Sequence, residues 1–154
     1  MSLESVRAYL KQWDVDGRIL EFSESSATVP EAAAAVGCSE GEIAKSMSLK
    51  VKDEIIVVVT AGDMRIDNPK YKARFHTKAV LLKMDEVEEM TGHPVGGVCP
   101  FALKEGVRVY LDESLKRFDK VYPACGTRNS AIGLTLEELE RYSGAEGWVD
   151  VCKA

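Results

Sequence analysis

Three short stretches of this chain gather residue types that could do chemistry. Thr91-Gly92-His93-Pro94-Val95-Gly96-Gly97-Val98-Cys99-Pro100-Phe101 fits neither helical nor strand periodicity. Its adjacent glycines allow close backbone approach to a ligand or positive φ, and amides exposed in such a turn can hold an anionic or carbonyl oxygen. On composition alone the stretch also serves as a plain connection. Cys99 lies inside it with no His, Asn or Asp at a thiol-protease spacing, so a small buried thiol is expected there, and His93 reads by default as a surface loop histidine. Gly126-Thr127-Arg128-Asn129-Ser130 is a polar turn between two strands that either presents hydroxyls and amides to a substrate or closes a hairpin. Lys45, in Glu42-Ile43-Ala44-Lys45-Ser46, is placed at the end of a short helix before an apolar strand. Taken alone it reads as a cation favouring the helix dipole.

Charge is segregated. Residues 65–83 hold Arg65, Lys70, Lys72, Arg74, Lys78 and Lys83 against Asp67, a local balance of +5 in a chain whose net charge is −5, leaving −10 elsewhere. Such a stretch is either a phosphate-backbone footprint or a solvated helix face. Tyr71, Phe75 and His76 interleave with it and either stack on unpaired bases or pack in the core. The acidic whole has no general attraction to DNA or anionic membranes. Its longest apolar run, Ile55–Val59, is far below the ~20 residues of a spanning helix, so a cytoplasmic protein is expected. Cys38, Cys99, Cys125 and Cys152 lie far apart with no C-x-x-C, and only His76 and His93 accompany them. No metal site or cofactor is expected.

These candidates need a scaffold, and 154 residues with 45% apolar composition suffice for a single domain over 1–154. Leu3, Val6, Leu10 and Trp13 recur at helical spacing, and Ile19–Phe22 reads as a short strand. Thr28 with Glu31 and Ser39 with Glu42 form capping boxes, the first opening an alanine-rich helix that Gly37 closes. Ser46–Val51 and the β-branched Glu54–Thr60 form a hairpin through Lys52-Asp53. A helix follows from Asp67 to Phe75, a strand over Ala79–Leu82, and a helix over Asp85–Met90 capped by the pair Asp85 and Glu88. Strands at Val107–Leu111, Lys120–Ala124 and Ser130–Leu134, a helix over Leu136–Tyr142 with a Thr135/Glu138 box, and a closing strand at Trp148–Val151 complete an α+β domain around a mixed sheet. Met1-Ser2-Leu3 is assigned no role.

Ile43-Ala44-Lys45-Ser46, Gly62-Asp63-Met64-Arg65-Ile66-Asp67, Gly96-Gly97-Val98-Cys99-Pro100-Phe101 and Gly126-Thr127-Arg128-Asn129-Ser130-Ala131 succeed one another in an order that resembles the YbaK/prolyl-tRNA-synthetase-associated domain family. The likeness covers nearly the whole chain, and its most specific part is the Gly-x-x-x-Pro loop from Gly96 to Pro100 preceded by Lys45. It implies a partly barrel-like mixed sheet with surrounding helices. It also implies metal-free hydrolysis of mischarged aminoacyl-tRNA, mostly tRNA for proline carrying a small residue such as alanine or cysteine, assisted by a ribose hydroxyl of the substrate. The resemblance makes Lys45, Gly96, Gly97 and Pro100 the catalytic set and places Ser46, Asp67, Gly126, Thr127, Asn129 and Ser130 on the substrate. Arg65, Lys70, Lys72 and Arg74 are then expected on the acceptor end, with prolyl-tRNA synthetase as a further partner. Some relatives carry a His in the turn that holds Asn129 here, so the amino acid removed does not carry over. The alternatives are a tRNA- or synthetase-binding module without hydrolysis, and a small-molecule-binding domain.

Overall fold

In the computed structural model, which describes residues 2–154, the chain opens with α1 (Ser2–Leu10), a 3-10 turn to Trp13 and the short β1 (Leu20–Glu21). Met1 lies outside the described residues. The Thr28/Glu31 capping box forms as expected and starts α2 (Val29–Val36), which Gly37 ends at φ +84°. The Ser39/Glu42 box opens only a 3-10 turn, Glu40–Glu42, because β2 (Ile43–Val51) begins at once. Lys45 therefore stands inside a strand and is not the C-terminal cation of a helix.

β3 (Glu54–Ala61) returns antiparallel to β2 across Lys52-Asp53, with Val51 opposite Glu54. Its side chains alternate between two cores. Val57, Val59 and Ala61 meet Val6, Leu10, Phe101 and Leu111 on one side, while Ile56 and Val58 meet Leu49, Tyr71 and Phe75 on the other. Burial on both faces is why this run contains so few polar residues. β4 (Arg65–Ile66) leads into α3 (Asn68–Phe75), started by Asp67 and Pro69 as the sequence suggested. Ala79–Leu82 makes no strand. Its only ladder contact among the described residues is a bridge from Leu81 to Leu49. α4 (Met84–Thr91) is capped by Glu86, whose carboxylate accepts from the Lys83 amide at 3.1 Å, and not by the Asp85/Glu88 pair.

β5 (Arg108–Asp112) and β6 (Lys120–Pro123) follow, and the expected strand at 130–134 divides into β7 (Ser130–Ala131) and β8 (Leu134–Thr135). The Thr135/Glu138 box starts α5 (Leu136–Ser143), followed by β9 (Gly147–Val149) and β10 (Cys152–Lys153). The main sheet runs β8-β6-β2-β3-β5-β9, and β1-β7 and β10-β4 form two-stranded ribbons. The result is an α+β fold with a curled, half-barrel mixed sheet.

One irregularity of this sheet creates the site. β6 pairs with β2 only at Ile43 opposite Tyr122 and Ala44 opposite Pro123. Pro123 has no N–H to extend a ladder, and the chain leaves the sheet there. Further along the same edge, the Lys50 amide donates to the Val80 carbonyl and the Leu82 amide to the Ser48 carbonyl, at 2.9 and 3.1 Å. Between Ala44 and Ser48 the edge of β2 is left uncovered.

Candidate active site

The uncovered edge is the floor of a cavity of about 250 Å3, lined by Ala44, Lys45, Ser46 and Ser48. Gly96 and Val98 form the facing wall, and Ser130 and Ala131 close one side. The sides missed by the sequence reading come from the start of α2 and the segment before it (Ser26, Ala27, Thr28, Ala32), and from Val87 of α4. Their signal was present in the small residues of the α2 region, where alanines leave space that larger side chains would fill.

Successive residues of a strand point to opposite faces, so Ser46 and Ser48 share one face of β2 and Lys45 takes the other. The Ser46 hydroxyl is buried with no hydrogen-bond partner. Leaving such a group unpaired costs about 1–3 kcal/mol, a cost that a bound ligand would relieve. The Tyr71 hydroxyl, the other such group among the described residues, belongs to the core under α3. Lys45 is half-buried and its ammonium donates to the Met64 carbonyl at 2.5 Å. Burial holds its pKa below the ordinary lysine value, partly offset by Cys152 and Asp63 nearby.

The Gly96 loop is fixed from beneath by His93, which is fully buried with both ring nitrogens bonded and is not the surface histidine the sequence suggested. Its Nε2 lies 2.6 Å from the Phe101 carbonyl and its Nδ1 bonds to the Ser2 hydroxyl. A carbonyl only accepts, so Nε2 carries the proton and Nδ1 accepts from Ser2. Thr91 braces the same turn, its hydroxyl donating to the Val87 carbonyl at 2.7 Å and accepting from the His93 amide at 3.1 Å. Cys99 is buried beside His93, and burial pushes its thiol up to about 12. It packs and does not supply a thiolate.

Gly96 has φ +87° and lines the cavity. Gly97 does not. Its amide donates to the Pro94 carbonyl at 2.9 Å, and a Cβ there would stand 2.7 Å from the Gly126 carbonyl carbon. The pair of glycine amides expected to hold an oxygen is therefore divided, and among the described residues the Gly96 and Val98 amides carry no such backbone bond. Pro100 is buried at the far end of the loop, beside Tyr9 and Ala102, outside this cavity.

Of the 126–130 turn, only Ser130 reaches the cavity lining. Gly126 is pressed against Ser2, Thr127 donates to the Ser130 hydroxyl at 2.7 Å, and Asn129 donates to the Phe22 carbonyl at 2.9 Å. Asp67 stands at the N-cap position of α3 without a side-chain capping bond, and its amide donates to the Val151 carbonyl, also away from the cavity. Arg65, Lys70, Lys72 and Arg74 are exposed but outside the lining. Lys70 pairs with Asp150 at 3.1 Å, and the Arg74 guanidinium lies over the Phe75 and Tyr110 rings. Arg65 is the nearest of the four in sequence to the Lys45 contact, following Met64 directly.

Among the described residues no helix is long and apolar enough to cross a membrane. Residues 23–142 match the family model described as an aminoacyl-tRNA editing domain. YwhH of Bacillus subtilis (strain 168), an uncharacterized protein, is 52% identical over 99% of this chain and 98% of its own length. Proline–tRNA ligase of Bacillus licheniformis is 30% identical over 90 residues, 58% of this chain and only 16% of the ligase. A solved structure presented as a candidate trans-editing enzyme for prolyl tRNA synthetase superposes with a TM-score of 0.89 at 28% identity, covering 99% of this chain and 98% of that one. The chain belongs to the aminoacyl-tRNA editing domain family, the YbaK/prolyl-tRNA-synthetase-associated group that its motifs resemble.

Proposed function

We propose that the protein acts in trans, in the cytoplasm, to hydrolyse the ester of mischarged aminoacyl-tRNA, with tRNA for proline carrying a small amino acid as substrate. The observation that carries this reading is the buried, unpartnered Ser46 hydroxyl on the floor of a cavity whose facing wall is Gly96. Family membership supplies the reaction class, and the likeness to a segment of proline–tRNA ligase supports the tRNA identity.

Water adds to the ester carbonyl, the acyl–oxygen bond to the ribose breaks, and the free amino acid leaves with the ribose hydroxyl restored. Charge on the carbonyl oxygen would be met by the Gly96 and Val98 amides, donors fixed before the reaction begins. Ser46 would hold the amino group or the attacking water, and the Lys45 ammonium, exchanging the Met64 carbonyl for the substrate, would hold its acceptor end as the family resemblance implies. A ribose hydroxyl of the substrate positions the water, as the family resemblance implies. Ala32, Ala44 and Ala131 leave room for a small side chain. Size alone discriminates weakly, about 1–3 kcal/mol per methylene, so Ser46 and Ser130 contribute to selection. Incubation with tRNA for proline charged separately with alanine, cysteine, serine and proline tests this, ester loss being followed against the spontaneous rate. Loss of a small-residue ester with the prolyl ester preserved is expected. Tight binding without acceleration on any ester would make the protein a binding module instead.

A further inference from the structure

We propose that Arg128 binds the phosphodiester next to the aminoacylated nucleotide, a role that rests on the reading of the cavity as a deacylation site. The cavity volume of about 250 Å3 lies below the range of pockets that enclose a whole drug-sized ligand, roughly 300–1,000 Å3. In this reading it takes the aminoacyl end, and the first phosphate rests on the rim.

Arg128 occupies that rim. A Cβ built on Gly96 would lie 3.1 Å from its Cγ and 3.2 Å from its Nε, so the side chain crosses the glycine of the cavity wall. The backbone beneath it is anchored on both sides. The Arg128 carbonyl accepts from the Ser26 amide at 2.5 Å, and the Asn129 carbonyl accepts from the Phe22 amide at 2.8 Å. Ser26 itself lines the cavity. The exposed guanidinium is thus carried on a turn whose backbone is anchored beside the cavity.

Its charge is also unspent. Arg7, Arg18, Arg108 and Arg117 are paired with carboxylates, and Arg74 lies over aromatic rings. Arg128 is in none of the ion pairs among the described residues. Glu31, an acid on neighbouring α2, already accepts from the Thr28 amide and hydroxyl. Lys45 is turned to Met64 and the 65–83 residues stand outside the lining, whereas the Arg128 side chain, also outside the lining, lies against Gly96 of the cavity wall. A planar guanidinium fork matches two phosphate oxygens, which an ammonium cannot do.

The test compares wild type, Arg128→Ala and Arg128→Lys in two assays. The first is equilibrium binding of a single-stranded oligonucleotide ending in CCA across a salt series, which needs no catalysis. Arg128→Ala should bind about tenfold more weakly and lose about 0.7 from the log–log salt slope, with Arg128→Lys between them. The second is deacylation of alanyl-tRNA beside the phosphate-free 3′-alanyl ester of adenosine. Arg128→Ala should raise KM on the tRNA with kcat kept, and leave the adenosine ester unaffected. Unchanged binding and slope, or equal losses on both esters, would overturn the assignment. If wild type cleaves neither ester, the deacylase reading fails, and the binding assay still decides whether Arg128 holds a phosphate.

Discussion

The Ser2 hydroxyl donates to Nδ1 of His93, tying the first residue of α1 to the loop that carries Gly96. The ring needs its neutral form to accept this bond while donating to Phe101. Burial lowers the His93 pKa from its ordinary value of 6.5, with the Phe101 carbonyl opposing. The folded ring then resists a proton that the unfolded chain takes, so the stabilisation is complete above about 6.5 and is lost as pH falls below it. Thermal unfolding of wild type should decline more steeply from about pH 7 to 5 than that of His93→Gln. Parallel declines would show that another group is responsible.

Gly97 is held to glycine by contact and not by φ. Its missing Cβ is what lets the Gly96 loop rest on the Gly126 backbone. Gly97→Ala should cost about 1–3 kcal/mol through overpacking, read as a lower urea midpoint with an unchanged m-value. An unaltered midpoint would mean that the two turns do not bear on each other.

Lys45→Ala removes the half-buried ammonium carried by the opposite face of β2 and its one bond to Met64. Turnover on a mischarged ester should fall by about 10²-fold, the scale of losing one preorganised charge or donor. Folding should persist, since one such charge-assisted hydrogen bond contributes about 1.5–3 kcal/mol net. Single-turnover rates beside thermal melts check this, and full activity in the folded variant would remove Lys45 from the mechanism.

Much of the scaffold was legible because it is written locally. The Thr28/Glu31 and Thr135/Glu138 boxes and the β2-β3 hairpin are set by residues a few positions apart, and all three form. Lys45 was assigned to a helix end because Ser39 and Glu42 cap only one 3-10 turn, and nothing local announces so early a stop. The cavity was legible in three of its sides, at Lys45-Ser46, at Gly96 and at Ser130. Its remaining sides come from α2, α4 and β6, brought together by a sheet edge that opens where Pro123 ends its ladder. The separation of Gly97 from Gly96 depends on contact with Gly126, distant in sequence.

The Arg18 guanidinium donates to both oxygens of Glu138, at 2.8 and 3.2 Å, and holds its carboxyl down at about 2, with the Thr135 amide assisting. The folded pKa lies below the ordinary 4.5, so the stabilisation is present above about 4.5 and disappears as pH falls toward 2. Glu138→Gln should be less stable than wild type at neutral pH and converge with it in acid. A difference that persists at about pH 2 would assign the effect to packing instead.

Single-turnover deacylation of alanyl- and prolyl-tRNA for proline, by wild type and Gly96→Val with tRNA binding followed in parallel, tests most directly whether this cavity is the hydrolytic site. Gly96 sits at φ +87°, where a β-branched residue is strained, and its Cβ would press on Ala27 and Arg128. The expected result is accelerated loss of the alanyl ester by wild type and retention of the prolyl ester. Gly96→Val should still bind tRNA through the distant basic residues, weakened by no more than the loss of the Arg128 contact, yet leave the alanyl ester at its spontaneous rate. Hydrolysis by a folded Gly96→Val at the wild-type rate, or no acceleration by wild type on the alanyl ester, would contradict the assignment.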